Sequence, residues 1–360
     1  MKRFVISTVI PKSSDPKDYL ESFEEFRELV KNLGGEIVGE IIQKRENPDS
    51  TYFIGKGKLE DIMSSYEFDV LAIDSRLSSA QIANLRQKTG KEVMDREYVI
   101  IKIFESRATT HEGKLQVKLA ELRYHLAKLS GIGKEMSQLG GILGTRGPGE
   151  TKTEEIRRHI ARQIKDIEKE LEDIRRTREI HRKRRKKQGF FTISLVGYTN
   201  VGKSTLLRVL SSEDVEVKNQ LFTTLETRVG TLIGAKNILI SDTVGFIRNI
   251  PHTLIEAFKS TLEEVKYSDA IVMVLDISSD FSMQFGTIRS VLEEIGVEDS
   301  KPRIIVFNKI DLVSEAHIKR VREQFPSAFF VSAVKLLGIN ELKNSIKNLL
   351  TWKEGELLYL

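Results

Sequence analysis

Gly197 and Gly202, separated by four residues and followed by Lys203 and Ser204, form the most chemically specific string in the chain. The stretch Gly197, Tyr198, Thr199, Asn200, Val201 and Gly202 can turn successive backbone N–H groups inward, where they suit an anion of phosphate size. Residues 191–196 ahead of it read as a buried strand. Residues 205–210 behind it read as an opening helix, whose N-terminal dipole favours the same negative charge. Lys203 would reach the β- and γ-phosphates of a nucleoside triphosphate, and the Ser204 hydroxyl would coordinate Mg2+, with Thr205 alongside. A Gly-rich turn with a surface lysine does not account for strand, loop and helix arriving in that order.

A second motif concerns the base. The apolar run 304–307 leads into Asn308, Lys309, Ile310 and Asp311. The Asp311 carboxylate can accept two hydrogen bonds, from N1–H and the 2-amino group of guanine. Adenine offers neither donor and would leave the carboxylate desolvated and unpaired, at a cost of several kcal/mol. Asn308 can brace the loop and touch the base, and the Lys309 stem can cover one face of the ring. Val331, Ser332 and Ala333 close another strand, and backbone N–H groups there could read guanine O6, with Val334 alongside. With these three motifs the chain resembles translation-factor-class GTPases of the P-loop superfamily, which implies GTP and GDP as ligands.

Between these motifs lie residues suited to hydrolysis. Ile238–Asp242 reads as a strand ending in an acid, and Asp242, Thr243, Val244 and Gly245 have the DxxG form of G proteins. Asp242 would hold Mg2+ largely through water, and the Gly245 N–H would sense the γ-phosphate. Leu221, Phe222, Thr223, Thr224, Leu225 and Glu226 occupy the segment where a G-protein threonine completes the Mg2+ shell only while GTP is bound. Thr224 fits that role first and Thr223 second. Lys203, Thr224, Asp242 and Gly245 are thus the expected catalytic set, with Ser204 and Thr224 on the metal. Phe246 stands where many small GTPases carry a water-orienting glutamine. A phenyl ring cannot position water, so hydrolysis should be slow without a completing partner, domain or monovalent cation. Asn200 sits where several cation-assisted G proteins carry asparagine, which makes K+ one candidate; hydrogen bonding to switch backbone is the other.

These residues need elements to hold them, and 360 residues are enough for two domains. Zero cysteines exclude a disulfide framework, a thiol catalyst and a thiolate metal site. No apolar run approaches about 18–20 residues and no signal peptide is present, which predicts a cytoplasmic protein without a membrane span. The net charge of +5 is uneven: residues 175–187 hold nine basic residues and one acid, leaving −3 for the rest. So dense a run favours polyphosphate contact over a merely solvated face, and RNA rather than DNA is expected.

The pattern divides the chain into an N-terminal α/β domain (1–112), two helices with a Gly-rich loop and a basic linker (113–187), a G domain (188–352) and a short tail (353–360). The fold class is α/β, the G domain doubly wound with a mostly parallel sheet. In the N-terminal part, strands are predicted at 4–10, 36–42 and 69–73, and helices at 15–33, 58–66, 78–88 and 97–106. Leu115, Leu119, Leu122, Leu126 and Leu129 form one apolar seam; Ile156, Ile160, Ile164, Ile167, Leu171 and Ile174 form another. Two such helices should pair as an antiparallel coiled coil. The connecting segment 131–150 carries seven glycines with Arg146, and Lys152 follows it; a capping box at Thr151 and Glu154 should restart the helix.

Residues 140–154, GGILGTRGPGETKTE, are similar to the signature loop of the HflX family of ribosome-associated GTPases. Residues 52–58, 106–116, 221–225 and 242–246 match that family as well, and the resemblance spans about 1–350. It implies docking on the large ribosomal subunit and its rRNA, ribosome-accelerated GTP hydrolysis, and splitting or rescue of stalled ribosomes under stress. A hydrophobic residue at the Phe246 position is typical of the family. Many bacterial members continue into a further C-terminal domain, whereas here the last predicted helix is followed by residues 351–360. Two other readings stand beside this one: a nucleotide-gated switch for protein partners, which would not need the basic run or the Gly-rich loop, and an RNA-remodelling ATPase that uses the N-terminal half.

Overall fold

The computed structural model describes residues 1–140, 148–211, 228–248 and 251–349. Phe222, Thr223, Thr224, Leu225 and Glu226 lie outside the described residues, as do residues 141–147 of the Gly-rich segment and the tail.

The chain forms two compact units. The first comprises residues 1–106 and 114–171, the second 107–113 and 172–360. In the first, β1 (Arg3–Pro11) is buried on both faces, as a central parallel strand must be. Helix α1 (Pro16–Asn32) starts at Asp15, whose side chain accepts from Lys17 N, with Pro16 at the first helical position. It buries Phe23, Phe26, Leu29 and Val30, each contributing roughly 1.5–3 kcal/mol.

Then follow β2 (Glu36–Arg45), α2 (Lys56–Ser65), β3 (Val70–Ile73), α3 (Ser79–Thr89), β4 (Glu92–Asp95) and α4 (Arg96–Arg107). Ser78 and Gln81 close a capping box on α3, and Gly90 ends it at φ 65°. The four strands form a wholly parallel sheet in the order β2-β1-β3-β4. β4 was not predicted; only Val93 and Met94 mark it as apolar. Below the sheet's C-terminal edge, buried Arg96 is held by Asp74 at 2.6 Å and by Glu25. Burial pushes the Asp74 carboxyl up, against the pull of Arg96.

Helix α5 (His111–Gly140) and helix α6 (Pro148–Lys187) are the long helices of the sequence pattern. Arg123 of α5 pairs with Glu168 of α6 at 2.8 Å. Two details correct the expected loop. Helix α5 continues to Gly140, because residues 134–139 between the glycines contain no Gly or Pro and are mostly helix formers. Helix α6 already starts at Pro148, a residue preorganised for a helix's first position, so Thr151 and Glu154 lie inside the helix and not at its start.

The second unit contains β5 (Phe191–Gly197), α7 (Lys203–Leu210), β6 (Arg228–Thr231), β7 (Ile238–Asp242), α8 (His252–Ala257), α9 (Lys259–Tyr267) and β8 (Ala270–Asp276). It continues with α10 (Phe281–Glu294), β9 (Arg303–Asn308), α11 (Glu315–Gln324), β10 (Phe329–Phe330) and α12 (Ile339–Asn348). The sheet order is β10-β9-β8-β5-β7-β6, parallel except for β6 against β7. This is the predicted doubly wound fold. The chain reverses winding direction at β5 and β8, whose carboxyl ends therefore open the crevice where such sheets take ligands. Among the described residues no helix is long and apolar enough to cross a membrane.

Candidate functional site: a nucleotide crevice at the strand ends

The loop from Gly197 to Gly202 leaves β5 at that reversal point and feeds α7. Gly197 is required by contact: a Cβ there would meet the Val274 carbonyl oxygen at 2.5 Å. Gly202 is required by conformation, at φ 95°, and a Cβ would also collide with the Asn308 amide. Asn200 takes the left-handed conformation too, at φ 62°, which asparagine tolerates better than most residues. Tyr198 and Val201 are buried and offer the site only their backbone. Thr199 is buried with its hydroxyl unpartnered among the described residues.

Lys203 Nζ lies 3.0 Å from the Gly197 carbonyl and 2.9 Å from that of Tyr198, to which it donates. Burial lowers its pKa to about 8, partly offset by Asp242. A cation held in so little solvent is poised for an anionic neighbour. Ser204 Oγ donates to Asp242 Oδ2 at 2.6 Å, joining the phosphate loop to the end of β7. Thr205 is half-buried one position on.

The DxxG residues pack directly on this loop. Thr199 N donates to the Phe246 carbonyl at 2.7 Å, and Phe246 N donates to the Gly197 carbonyl at 3.1 Å. The Phe246 ring is buried at 2% exposure, so it is a core residue whose backbone aligns Gly245. A Cβ on Gly245 would stand 2.9 Å from Thr199 Cα and 3.0 Å from Lys203 Nζ. Thr243 donates through its hydroxyl to the Leu195 carbonyl at 2.7 Å, and Val244 is buried, so both serve through backbone.

The base loops meet the phosphate loop through one side chain. Asn308 Nδ2 donates to the Val201 carbonyl at 2.8 Å, and its Oδ1 accepts from Ala333 N at 3.0 Å. Lys309, at φ 65°, is pinned by Asp276 at 2.6 Å, which fixes the stem expected to cover the base. Asp276 escaped the sequence reading. Its position at the end of a buried strand, turned through Ser278 N and Oγ, was the available signal. Ile310 opens a short 3-10 turn in which Asp311 is exposed and open to a ligand. The expected use of the Ser332 and Ala333 amides needs correction. Ser332 N donates to the Leu337 carbonyl at 3.0 Å and so closes its own loop, while Ala333 N donates to Asn308 and ties that loop to the end of β9. Val334 is exposed beside them.

The basic run is not uniformly free. It is helical, and its Arg175, Arg178, Arg182 and Arg185 recur on one half-buried face. Arg175 pairs with Glu263 at 2.8 Å, Arg178 with Glu112 at 2.5 Å, and Arg182 and Arg185 share Glu264. Arg176, Lys183, Arg184, Lys186 and Lys187 are exposed, and Lys183 pairs with Glu179 of its own helix at 2.7 Å.

Comparison with known proteins decides the family. GTPase HflX of Caldanaerobacter subterraneus subsp. tengcongensis is 41% identical over 351 residues, covering 96% of this chain and 80% of that protein. The chain belongs to the HflX family of GTPases. GTPase HflX of Lacrimispora saccharolytica is 45% identical over 95% of this chain and 82% of its own length. HflX of Escherichia coli (strain K12) is 38% identical over 90% and 78%. Family profiles described as "GTP-binding GTPase N-terminal", "GTP-binding GTPase Middle Region" and "50S ribosome-binding GTPase" match residues 20–105, 107–185 and 192–309. A crystal structure described as "SsGBP and GDP complex" is similar with a TM-score of 0.54 at 28% identity, covering 98% of this chain and 99% of that one. By family the chain is thus a GTP hydrolase, built on a P-loop G domain.

Proposed function

We propose that the crevice binds GTP, hydrolyses it slowly alone, and does so faster when the protein docks on the large ribosomal subunit. The observation that carries the nucleotide reading is the convergence of Lys203, Ser204, Asp242 and Asn308 on one loop at the sheet's winding reversal. A Mg2+ ion fits the donor set, since hard oxygen ligands are what it takes: the Ser204 hydroxyl and Asp242 carboxylate, with Thr224 as the switch ligand. When bound, Mg2+ would neutralise phosphate charge. Lys203 positions the phosphates, Gly245 leaves room for the γ-phosphate beside Thr199, and Asp311 selects guanine. GTP would order the Thr224 and Asp242–Gly245 segments and favour docking, and hydrolysis would release it.

The ribosomal reading rests on the family and on the exposed face of the basic run, which suits rRNA phosphates. In the same reading the domains are 1–112, 113–187 and 188–352, the site is cytoplasmic, and the outcome is ribosome rescue or splitting. K+ at Asn200 is a further element. Hydrolysis should then fall several-fold when Na+ replaces K+, and equal rates in the two salts would remove it.

Equilibrium competition between GTP and ATP tests the nucleotide reading. GTP should displace a fluorescent GDP analogue at least 100-fold better than ATP, and Asp311→Asn should move the preference toward xanthine nucleotides. Equal displacement by ATP would instead favour the RNA-remodelling alternative.

A further inference from the structure

A cavity of about 490 Å3 lies in the second unit, between the C-terminal turns of α6 and one face of the sheet. Nothing in the nucleotide mechanism uses it. Its volume falls within the range of small-molecule sites. The floor is made by alternate residues of β5 and β7, Thr192, Ser194, Leu239 and Ser241, with Val229 of β6. Their neighbours Leu195 and Asp242 point to the opposite face, toward α7.

Two features of the lining define a ligand. Six basic side chains face four acidic ones; Lys183 pairs with Glu179 at 2.7 Å and Arg185 with Glu264 at 3.5 Å, yet the basic groups remain in excess and Arg185 Nε is buried with no hydrogen-bond partner among the described residues. An anion is therefore favoured. The lining also exposes apolar surface, with Tyr267 47% and Val229 37% exposed. The Arg182 guanidinium already lies 4.2 Å from the Tyr267 ring centre, so the wall presents a cation and a flat face together.

The floor is coupled to the site by register. Val229 pairs across the strands with Ser241, and Arg228 with Asp242. Ser241 Oγ lies 2.9 Å from Ser194 Oγ, while Asp242 accepts from Ser204 one position on. A molecule seated on Val229 and Ser241 therefore bears on the strand pair whose next residues include the acid of the DxxG motif.

We propose that this cavity is a second binding site, for a small aromatic anion, which acts as an effector of the nucleotide site. The ring packs on Tyr267 and Val229, and the anionic group lies among Arg185, Lys183 and Lys186. Because linkage is reciprocal, the ligand shifts nucleotide affinity by the same factor by which nucleotide shifts the ligand's own, and turnover reads that change of state.

The test uses phenyl phosphate as probe and the full chain, first without nucleotide and then saturated with GDP. Ligand-observed NMR should report saturable binding that GDP does not displace. Binding should weaken at least tenfold in Lys183→Glu/Lys186→Glu and in Tyr267→Ala, three exposed positions, with melting temperature as the check that loss of the Arg182–Tyr267 contact leaves the fold intact. Saturating probe should change GTP turnover at least twofold in the wild type and not in these variants. Displacement by GDP, binding insensitive to the variants, or no saturable binding would overturn the site. Binding with unchanged turnover would overturn the effector role. None of these results depends on whether ribosomes stimulate the enzyme.

Discussion

Replacing Asn308 with alanine removes two hydrogen bonds at once, and its consequence can be worked from the contacts. The side chain is 3% exposed, donates to the Val201 carbonyl at 2.8 Å and accepts from Ala333 N at 3.0 Å. Val201 and Ala333 are themselves buried, so truncation leaves an acceptor and a donor without partners. Each such group costs about 1–3 kcal/mol, and water entering the small space left behind offsets part of it. The expected loss is roughly 2–4 kcal/mol, equivalent to about 5–15 °C in melting temperature for a domain of this size. Nucleotide affinity should fall about 100-fold, since binding must then order the two loops that Asn308 holds together. Asn308→Asp keeps the acceptor for Ala333 but sets a carboxylate oxygen against the Val201 carbonyl, so it should be no better. The assays are thermal melting without added nucleotide and titration with a fluorescent GDP analogue. If Asn308 acted only by touching the base, nucleotide-free melting would be unaffected. A nucleotide-free midpoint within about 2 °C of wild type would therefore refute the bracing argument.

Other outcomes follow from the same geometry. Gly245→Ala places a methyl group 2.9 Å from Thr199 Cα and 3.0 Å from Lys203 Nζ. Hydrolysis should drop at least tenfold, about 1.4 kcal/mol of barrier, while GDP affinity stays within about threefold; equal losses in both would assign the residue to binding instead. For Lys203, a folded-state pKa of about 8 lies below the ordinary 10.5. The folded protein thus holds fewer protons than the unfolded chain between those values, so this group makes stability rise with pH from about 8 to 10.5, by roughly 3 kcal/mol in total. Nucleotide binding has the opposite sense, because phosphate needs the charged amine. Affinity for GDP should weaken up to about tenfold per pH unit above 8, as isothermal titration would read directly, and Lys203→Ala should flatten that profile. A flat wild-type profile from pH 7 to 9.5 would contradict the burial argument.

What was legible in the sequence was what local spacing dictates. The phosphate loop, the DxxG acid and the Asn308–Asp311 string each follow a buried strand, and strand, loop and helix all stand within a few residues of where the pattern put them. The rest depends on partners distant in sequence. That Asn308 braces Val201 is a contact across 107 positions, and that Asp276 pins Lys309 needs β8 beside β9. The Ser332 and Ala333 amides looked available because nothing local marks Leu337 and Asn308 as their acceptors. β4 escaped because four residues with two apolar side chains carry too little periodicity. The glycines of 131–140 suggested a loop, yet the good helix formers between them let α5 run on. In the basic run, composition gave the charge, but only α9 and residues 107–113 reveal which arginines are already paired.

The central claim is a GTPase that the large ribosomal subunit activates, and the most direct measurement is GTP turnover by purified protein with and without isolated large subunits from the same source. The account predicts stimulation of about tenfold or more, abolished by Lys203→Ala. Unstimulated turnover, together with no co-sedimentation with the subunit in a non-hydrolysable GTP analogue, would contradict it and leave a GTPase whose activator is another protein or a cation.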